Sequence, residues 1–504
     1  MPSGSRNVQR VCVLLSCTFL GLICGTLYLY SSYSPQLAKQ LSYTVSDSSL
    51  IALCGTVGMA VAGPVSGAVV DKKGYTVSIL IGGLLIISGY IGLKYQFDQA
   101  WSKLQVSCYW IFSIGLGSTF INSACLKCCA VSFPSIRGVA TSLPLALYGL
   151  SALFYSVIAS TFYPGKTSDF LEFLARSIVI IYVVCFPSVY LADKEHKLKR
   201  ATSFQSKQRS LSSPDDPEPI HNEQRGYLFM DYKFWLLFLI TGFLAALGQM
   251  YIYSVGYMVK ALVLANSASL DETLLQQSSQ SQISHSSQIE LVVQQEQQLQ
   301  VGLISIANCL GRISSGVLGD IITQSFGKPR SWLLVIPAIG TSFCQILSSA
   351  VENYARLPGS SFLVGYFYGF TFCLMPIIVG DVFGMENFSF NWGMVSMAPI
   401  IPSYYFTSLF GEIYDANSKG DSKLTTTTGS LEASKPAAAQ LSVGCFLGNR
   451  CYNSIFTLTF SVGLVACVLV VILNVADLMF KKRNRKLLSL SEIRADNFHP
   501  EKPK

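Results

Sequence analysis

The run GRISSGVLGD, residues Gly311–Asp320, places an arginine inside an apolar stretch and ends on Gly and Asp. A positive charge at bilayer depth costs at least about 2.5 kcal/mol, so Arg312 predicts a task. An earlier run, GPVSGAVVD (Gly63–Asp71), also ends on Asp. Each puts Gly four residues before Asp, at the end of an apolar segment and ahead of a basic, Gly-containing turn. Two such helix–turn signals in one long apolar chain predict an internal duplication, as in transporters built from paired repeats.

Working outward, composition sets the class. Of 504 residues, 51% are hydrophobic and 13% charged, with mean hydropathy +0.44. Soluble domains carry about 25% charged residues. Spanning the hydrocarbon core takes roughly 20 apolar residues per helix. Twelve stretches qualify: Val11–Tyr30, Ser49–Val70, Thr76–Tyr95, Val106–Val131, Val139–Tyr163, Leu171–Leu191, Phe234–Val263, Val301–Thr323, Trp332–Val351, Ser361–Asp381, Asn391–Phe410 and Ile455–Leu473. The first reads as a retained anchor, since it runs long and lacks a convincing cleavage site. The expected fold is an all-α membrane protein of twelve transmembrane helices in two six-helix bundles. Residues 1–191 form the first bundle, 192–233 a charged Ser/Pro-rich linker (with SLSSPDDPEP as candidate phosphorylation sites), 234–480 the second bundle and 481–504 a tail. Within the second bundle, 265–300 reads as a low-complexity Ser/Gln loop. No room remains for a soluble catalytic domain, and no nucleophile–base pair stands at membrane depth, so no enzyme is expected.

Lysine and arginine set the orientation. With the N-terminus in the cytosol, inside segments carry 23 of the 36 Lys/Arg and outside segments 10. Both termini, the linker and the tail are therefore expected to be cytosolic. The net charge of +8 reflects this bias and does not indicate nucleic acid. Thirteen of the fifteen cysteines fall in apolar segments and read as small hydrophobes. The cluster CLKCC (Cys125–Cys129) lacks the His or paired CxxC of a metal site, so neither metal nor cofactor is expected. Lys127 within it is expected to snorkel to headgroups. Cys445 and Cys451, in CFLGNRC on the outside, form a candidate disulfide.

Specific motifs now carry a resemblance. GAVVDKKG (Gly67–Gly74) resembles the loop between helices 2 and 3 of the major facilitator superfamily. GTLYLYSSYSPQL (Gly25–Leu37), SFPSIRG (Ser132–Gly138), GLSALFYS (Gly149–Ser156) and GDVFGMENFSFNWG (Gly380–Gly393) resemble its nodulin-like branch, and fungal vacuolar members similar to monocarboxylate transporters. The resemblance implies alternating access between the bundles, with a latch at Gly67, Asp71, Lys72 and Gly74. Gly316 and Asp320 imply a second, degenerate latch, and Asp381 a further latch position. It also implies a vacuolar membrane, with the plasma membrane as the alternative.

Monocarboxylate transporters carry a helix-8 arginine followed by Gly at +4 and Asp or Asn at +8. Arg312, Gly316 and Asp320 fit that spacing, which implies that Arg312 binds the solute carboxylate. Two departures stand out. The family's acid four residues before the arginine is Asn308 here, and its helix-1 lysine is missing from YLYSSYSPQ. All 28 Asp and Glu lie in loops or near helix ends, and all four His in loops. Facilitated transport or anion exchange therefore stands beside proton symport. Asn308 shares the Arg312 helix face. Tyr28, Tyr30, Gln249, Tyr251 and Tyr253 are the other candidate cavity residues, and Trp392, Pro399 and Pro402 predict a bent helix 11. The expected function is transport of a small organic anion by a monomer in the lipid bilayer. The alternative is a non-transporting membrane sensor with the same fold.

Overall fold

The computed structural model describes residues 3–43, 45–163, 166–210, 228–274, 282–427 and 445–496. Among these residues there are helices and no strands. In chain order the helices are α1 (Ser3–Cys24), α2 (Tyr30–Leu41), α3 (Val45–Lys73), α4 (Tyr75–Asp98), α5 (Leu104–Ser132), α6 (Arg137–Phe162) and α7 (Thr167–Ser210). There follow α8 (Tyr232–Leu274), α9 (Gln282–Phe326), α10 (Val335–Ser349), α11 (Leu357–Phe383), α12 (Phe388–Val395), α13 (Ile400–Thr427) and α14 (Asn453–Asp496). Eleven segments are long and apolar enough to cross a membrane. The remaining expected stretch, Asn391–Phe410, is broken: α12 stops at Val395 and α13 restarts at Ile400 after Pro399. That is the predicted bend, and i→i+3 bonds such as Met397 N–H to Met394 O carry the backbone through it.

Each half has its own core. Val13, Cys17, Leu20, Ile79, Ile121, Leu171 and their neighbours, all from α1 to α7, form one cluster. The second half is filled by residues from α8 to α14, but its central cluster takes in Leu126 of α5 and Leu145 of α6. Apolar packing is thus continuous between the halves. Gly74 makes the turn between α3 and α4 possible: its φ is +94°, a region disfavoured for side chains with a Cβ.

Three expected loops are helical instead. The first bundle's last helix does not end at 191; α7 runs to Ser210. Ion pairs one turn apart, Lys197–Asp193 and Lys199–Glu195, support this polar extension. The segment 265–300 is not one loop either. Helix α8 continues to Leu274, and α9 begins at Gln282 through a Gln-, Glu- and Leu-rich stretch of good helix formers. The tail from 481 continues α14 to Asp496. The candidate phosphorylation sites after Ser210 lie outside the described residues.

Candidate functional site

One end of the bundle carries exposed Lys72, Lys73 and Lys328 and partly exposed Arg200, and we term it the basic face. Two seams close the halves together there. In the first, α3 packs on α12; in the second, α6 packs on α9. Both depend on glycine. A Cβ at Gly67 would overlap the Ser389 backbone, and one at Gly316 would meet the Gly138 carbonyl at 2.5 Å. Small residues let helix backbones approach this closely.

A carboxylate ends each seam. Asp71, at the end of α3, accepts from the backbone N–H groups of Ser389 (3.3 Å) and Phe390 (2.8 Å) at the start of α12. Asp320, near the end of α9, accepts from the N–H groups of Gly138 (2.8 Å) and Val139 (2.9 Å) at the start of α6. Each satisfies orphan donors of a helix from the opposite half, where negative charge is favoured. Each is also ion-paired. Lys127 Nζ lies 2.6 Å from Asp71 Oδ1 and donates to the Glu386 carbonyl at 2.9 Å. Arg330 binds Asp320 Oδ1 at 2.9 Å and Asp381 Oδ2 at 2.5 Å, while Arg137 reaches Asp381 from the first half at 3.6 Å.

Above the first seam the halves separate, while α6 stays beside α9 as far as Leu153 and Gly302. Helix α13, past the break, packs on α8 and scarcely touches α3. Tyr28 is 40% exposed and Tyr253 46%. With α3 and α13 apart, we read these two tyrosines as lining an opening between the halves. Tyr28 stacks edge-on against Tyr148 at 5.8 Å, and Gln249 donates to the Tyr368 hydroxyl at 3.2 Å. Tyr148, which also lies over the Arg312 guanidinium, thus links Tyr28 to it.

Arg312 forms the floor. Its Nε–H donates to Asn308 Oδ1 at 2.8 Å, one turn back on α9. Its Nη1 donates to the Leu145 carbonyl of α6, in the other half, at 2.5 Å. The Tyr148 ring covers Cζ at 5.4 Å, so the group is only 4% exposed. Among the described residues no carboxylate pairs with it.

Residues 10–211 match the family model described as nodulin-like. A probable transporter, MCH1, of Wickerhamomyces anomalus is 26% identical over 439 residues, covering 82% of this chain and 81% of that one. An uncharacterized membrane protein of Saccharomyces cerevisiae is 25% identical over 487 residues, covering 79% of this chain and 86% of its own. Among solved structures, the major facilitator FucP in the outward conformation superposes with TM-score 0.53 at 14% identity, covering 91% of this chain and 97% of that one. The proton:xylose symporter XylE superposes with TM-score 0.57 at 13% identity, covering 92% and 95%. The chain is similar to the nodulin-like family over residues 10–211 and shares its fold with solved major facilitator transporters.

Within this fold, the structure sorts the candidates. Gly67, Asp71, Gly316, Asp320 and Asp381 lie in or beside the seams, and Gly74 holds the turn below Asp71. Lys72 does not join them: it is exposed, and the cation on Asp71 is Lys127. Lys127 therefore does not snorkel. It is 3% exposed, and its ammonium is held by a buried carboxylate and a carbonyl. Arg312, Asn308, Tyr28, Gln249 and Tyr253 converge on the opening. Tyr30 does not. Its ring packs in the first-half core against Tyr33, and its hydroxyl meets Ser48 at 3.1 Å. Tyr251 is fully buried on another face of α8, bonded to Ser361. Cys445 and Cys451 are joined in a disulfide, and the other thirteen cysteines are free.

Sequence reading missed Lys127, Arg330, Tyr148 and Tyr368. The signal for Lys127 was present: a lysine flanked by cysteines in an apolar helix invites the argument applied to Arg312. Arg330 looked like one of many basic loop residues, and nothing local distinguishes Tyr148 or Tyr368.

Proposed function

We propose that this protein carries a small organic anion, such as a monocarboxylate, across a membrane by alternating access. The carrying observation is the one-sided closure: two capped seams at the basic face, and a tyrosine-lined opening above an arginine that has no acidic partner among the described residues. Relatives named as probable transporters support the coarse reading. The choice of an anion rests on Arg312, because a guanidinium matches a carboxylate with two parallel hydrogen bonds. The opening presents no Asp, Glu or His among the described residues, which favours facilitated transport or exchange over proton symport. On this reading the basic face is cytosolic, with the vacuolar membrane as the site of action and the monomer as the working unit.

The test is an uptake screen of radiolabelled carboxylates in vesicles reconstituted with the purified protein, with a pH gradient imposed and then collapsed. Uptake of a carboxylate that persists without the gradient is expected. Uptake that vanishes with the gradient would establish proton coupling instead. Binding with no flux of any solute would mark the protein as a sensor.

A further inference from the structure

In the arrangement described, Arg312 is occupied by its own chain. Asn308 takes Nε, the Leu145 carbonyl takes Nη1, and the Tyr148 ring lies across the guanidinium. Asn308 sits on the same helix as Arg312. Leu145 and Tyr148 belong to the other half, three residues apart on α6. A movement that parts α6 from α9 would therefore remove the Leu145 acceptor and the Tyr148 cover together, leaving Asn308 in place. We infer that the anion site is completed when this seam parts, and that the anion then replaces the Leu145 carbonyl on Arg312. This rests on the transport reading above and adds to it when the site forms.

The physical chemistry favours the exchange. A neutral carbonyl offers one acceptor to Nη1, whereas a carboxylate engages two guanidinium N–H groups at once in stronger, charge-assisted bonds. With the seam parted and no anion present, Nη1 exchanges the Leu145 carbonyl for water and the net gain of that charge-assisted bond is lost, so the empty protein rests with the seam closed. Arg312 then serves as a clasp between halves without solute and as the solute contact with it. Anion binding and opening of the basic face become thermodynamically linked, each promoting the other. The anion also binds more tightly from the basic face than through the opening seen here.

The test measures the seam directly. Spin labels carried by unnatural amino acids at positions 73 and 328, both exposed at the basic face on opposite halves, report its width in nanodiscs. Without solute, Arg312→Gln is expected to raise the wide population about ten-fold over the unsubstituted chain. Adding sodium pyruvate to the unsubstituted chain should widen it likewise and should leave Arg312→Gln unmoved. An unchanged distance distribution in Arg312→Gln overturns the inference. So does pyruvate that is transported yet leaves the width unaltered. If Arg312→Gln does not accumulate, Gly316→Ala wedges the same seam without touching the guanidinium. Pyruvate affinity, read by thermal-shift titration, should then rise several-fold, and a fall overturns the inference. Failure of the solute reading looks different: no carboxylate is taken up by the unsubstituted protein, while Arg312→Gln still widens the face.

Discussion

Asp71 and Asp320 do the same work in opposite halves: each ends its own helix and caps the first N–H groups of a helix across the seam. Their counter-charges differ. Asp71 uses Lys127 from α5 of its own half, whereas Asp320 shares Arg330 with Asp381. The two seams share the carboxylate and differ in the cation. Removing one partner of a buried pair costs about 3–5 kcal/mol, while replacing both by apolar groups is often neutral. Asp71→Asn should therefore lower the thermal midpoint and uptake together, because Lys127 is left buried and unpaired. Asp71→Asn combined with Lys127→Met should recover much of the midpoint, read by fluorescence-detected unfolding. A double variant less stable than the single one would show that the pair is not energetically coupled.

The seams tolerate no added methyl. At Gly67 the obstacle is the Ser389 backbone, and at Gly316 it is the Gly138 carbonyl and the Ser142 side chain. Backbone cannot rotate aside as a side chain can, so the helices must part. Overpacking of this kind costs about 1–3 kcal/mol. Gly67→Ala and Gly316→Ala should each reduce uptake about ten-fold or more with protein still at the membrane. Gly359→Ala and Gly411→Ala, where a Cβ meets nothing within 4 Å, serve as controls and should leave uptake unchanged. Equal effects at all four positions would remove close seam contact as the explanation.

The parts legible in the sequence were local ones. The turn from Asn308 to Arg312, and the Gly-to-Asp spacing in both halves, are fixed by helical periodicity and needed no tertiary knowledge. Tyr28 and Tyr30 show where that reasoning stops. Residues Gly25–Leu29 form a tighter 3-10 turn between α1 and α2, so the angular step per residue is about 120° rather than about 100°. Both tyrosines were candidates because they share the first apolar stretch, and only Tyr28 stays exposed while Tyr30 packs in the core. The anchors of Lys127 could not be read locally, since Asp71 is 56 residues away and Glu386 is 259. Hydropathy windows likewise found where helices cross the apolar layer, but not where α7, α9 and α14 end beyond it.

That contrast between neighbouring tyrosines can be measured. Tyr28→Ala and Tyr253→Ala should raise KM for the transported anion by several-fold with little change in thermal midpoint, because both side chains face the opening. Tyr30→Phe removes a hydrogen bond to Ser48 in the core and should cost about 0.5–1.5 kcal/mol of stability with KM unaltered. A KM shift in Tyr30→Phe, or none in the other two, would reverse the assignment of these residues.

The disulfide between Cys445 and Cys451 closes a short loop that is tied to its surroundings. Asn417 donates to the carbonyls of Arg450 and Cys451, and Asn449 to that of Ser349, so the loop joins α13 to α10. Chain-entropy arguments assign a loop of this length about 2 kcal/mol. Cys445→Ser should lower the thermal midpoint by a few degrees, and a reducing agent should do the same to the unsubstituted protein but not to the variant. Insensitivity of the unsubstituted protein to the reductant would show the bond contributes nothing to stability.

Arg312→Lys is the sharpest separation of charge from geometry. Lysine keeps the positive charge at the floor of the opening, but its ammonium is a compact point charge without the planar fork that holds Asn308 and Leu145 at once. If charge alone drew the solute, Arg312→Lys would keep most of the uptake and Arg312→Ala would lose it. The two-sided hydrogen bonding seen here argues for shape as well: both variants should lose uptake, Arg312→Ala completely and Arg312→Lys by about ten-fold or more, with membrane abundance preserved. Initial rates in proteoliposomes, normalised to protein incorporated, decide between these outcomes. Unchanged uptake by Arg312→Ala would detach the solute from this arginine altogether.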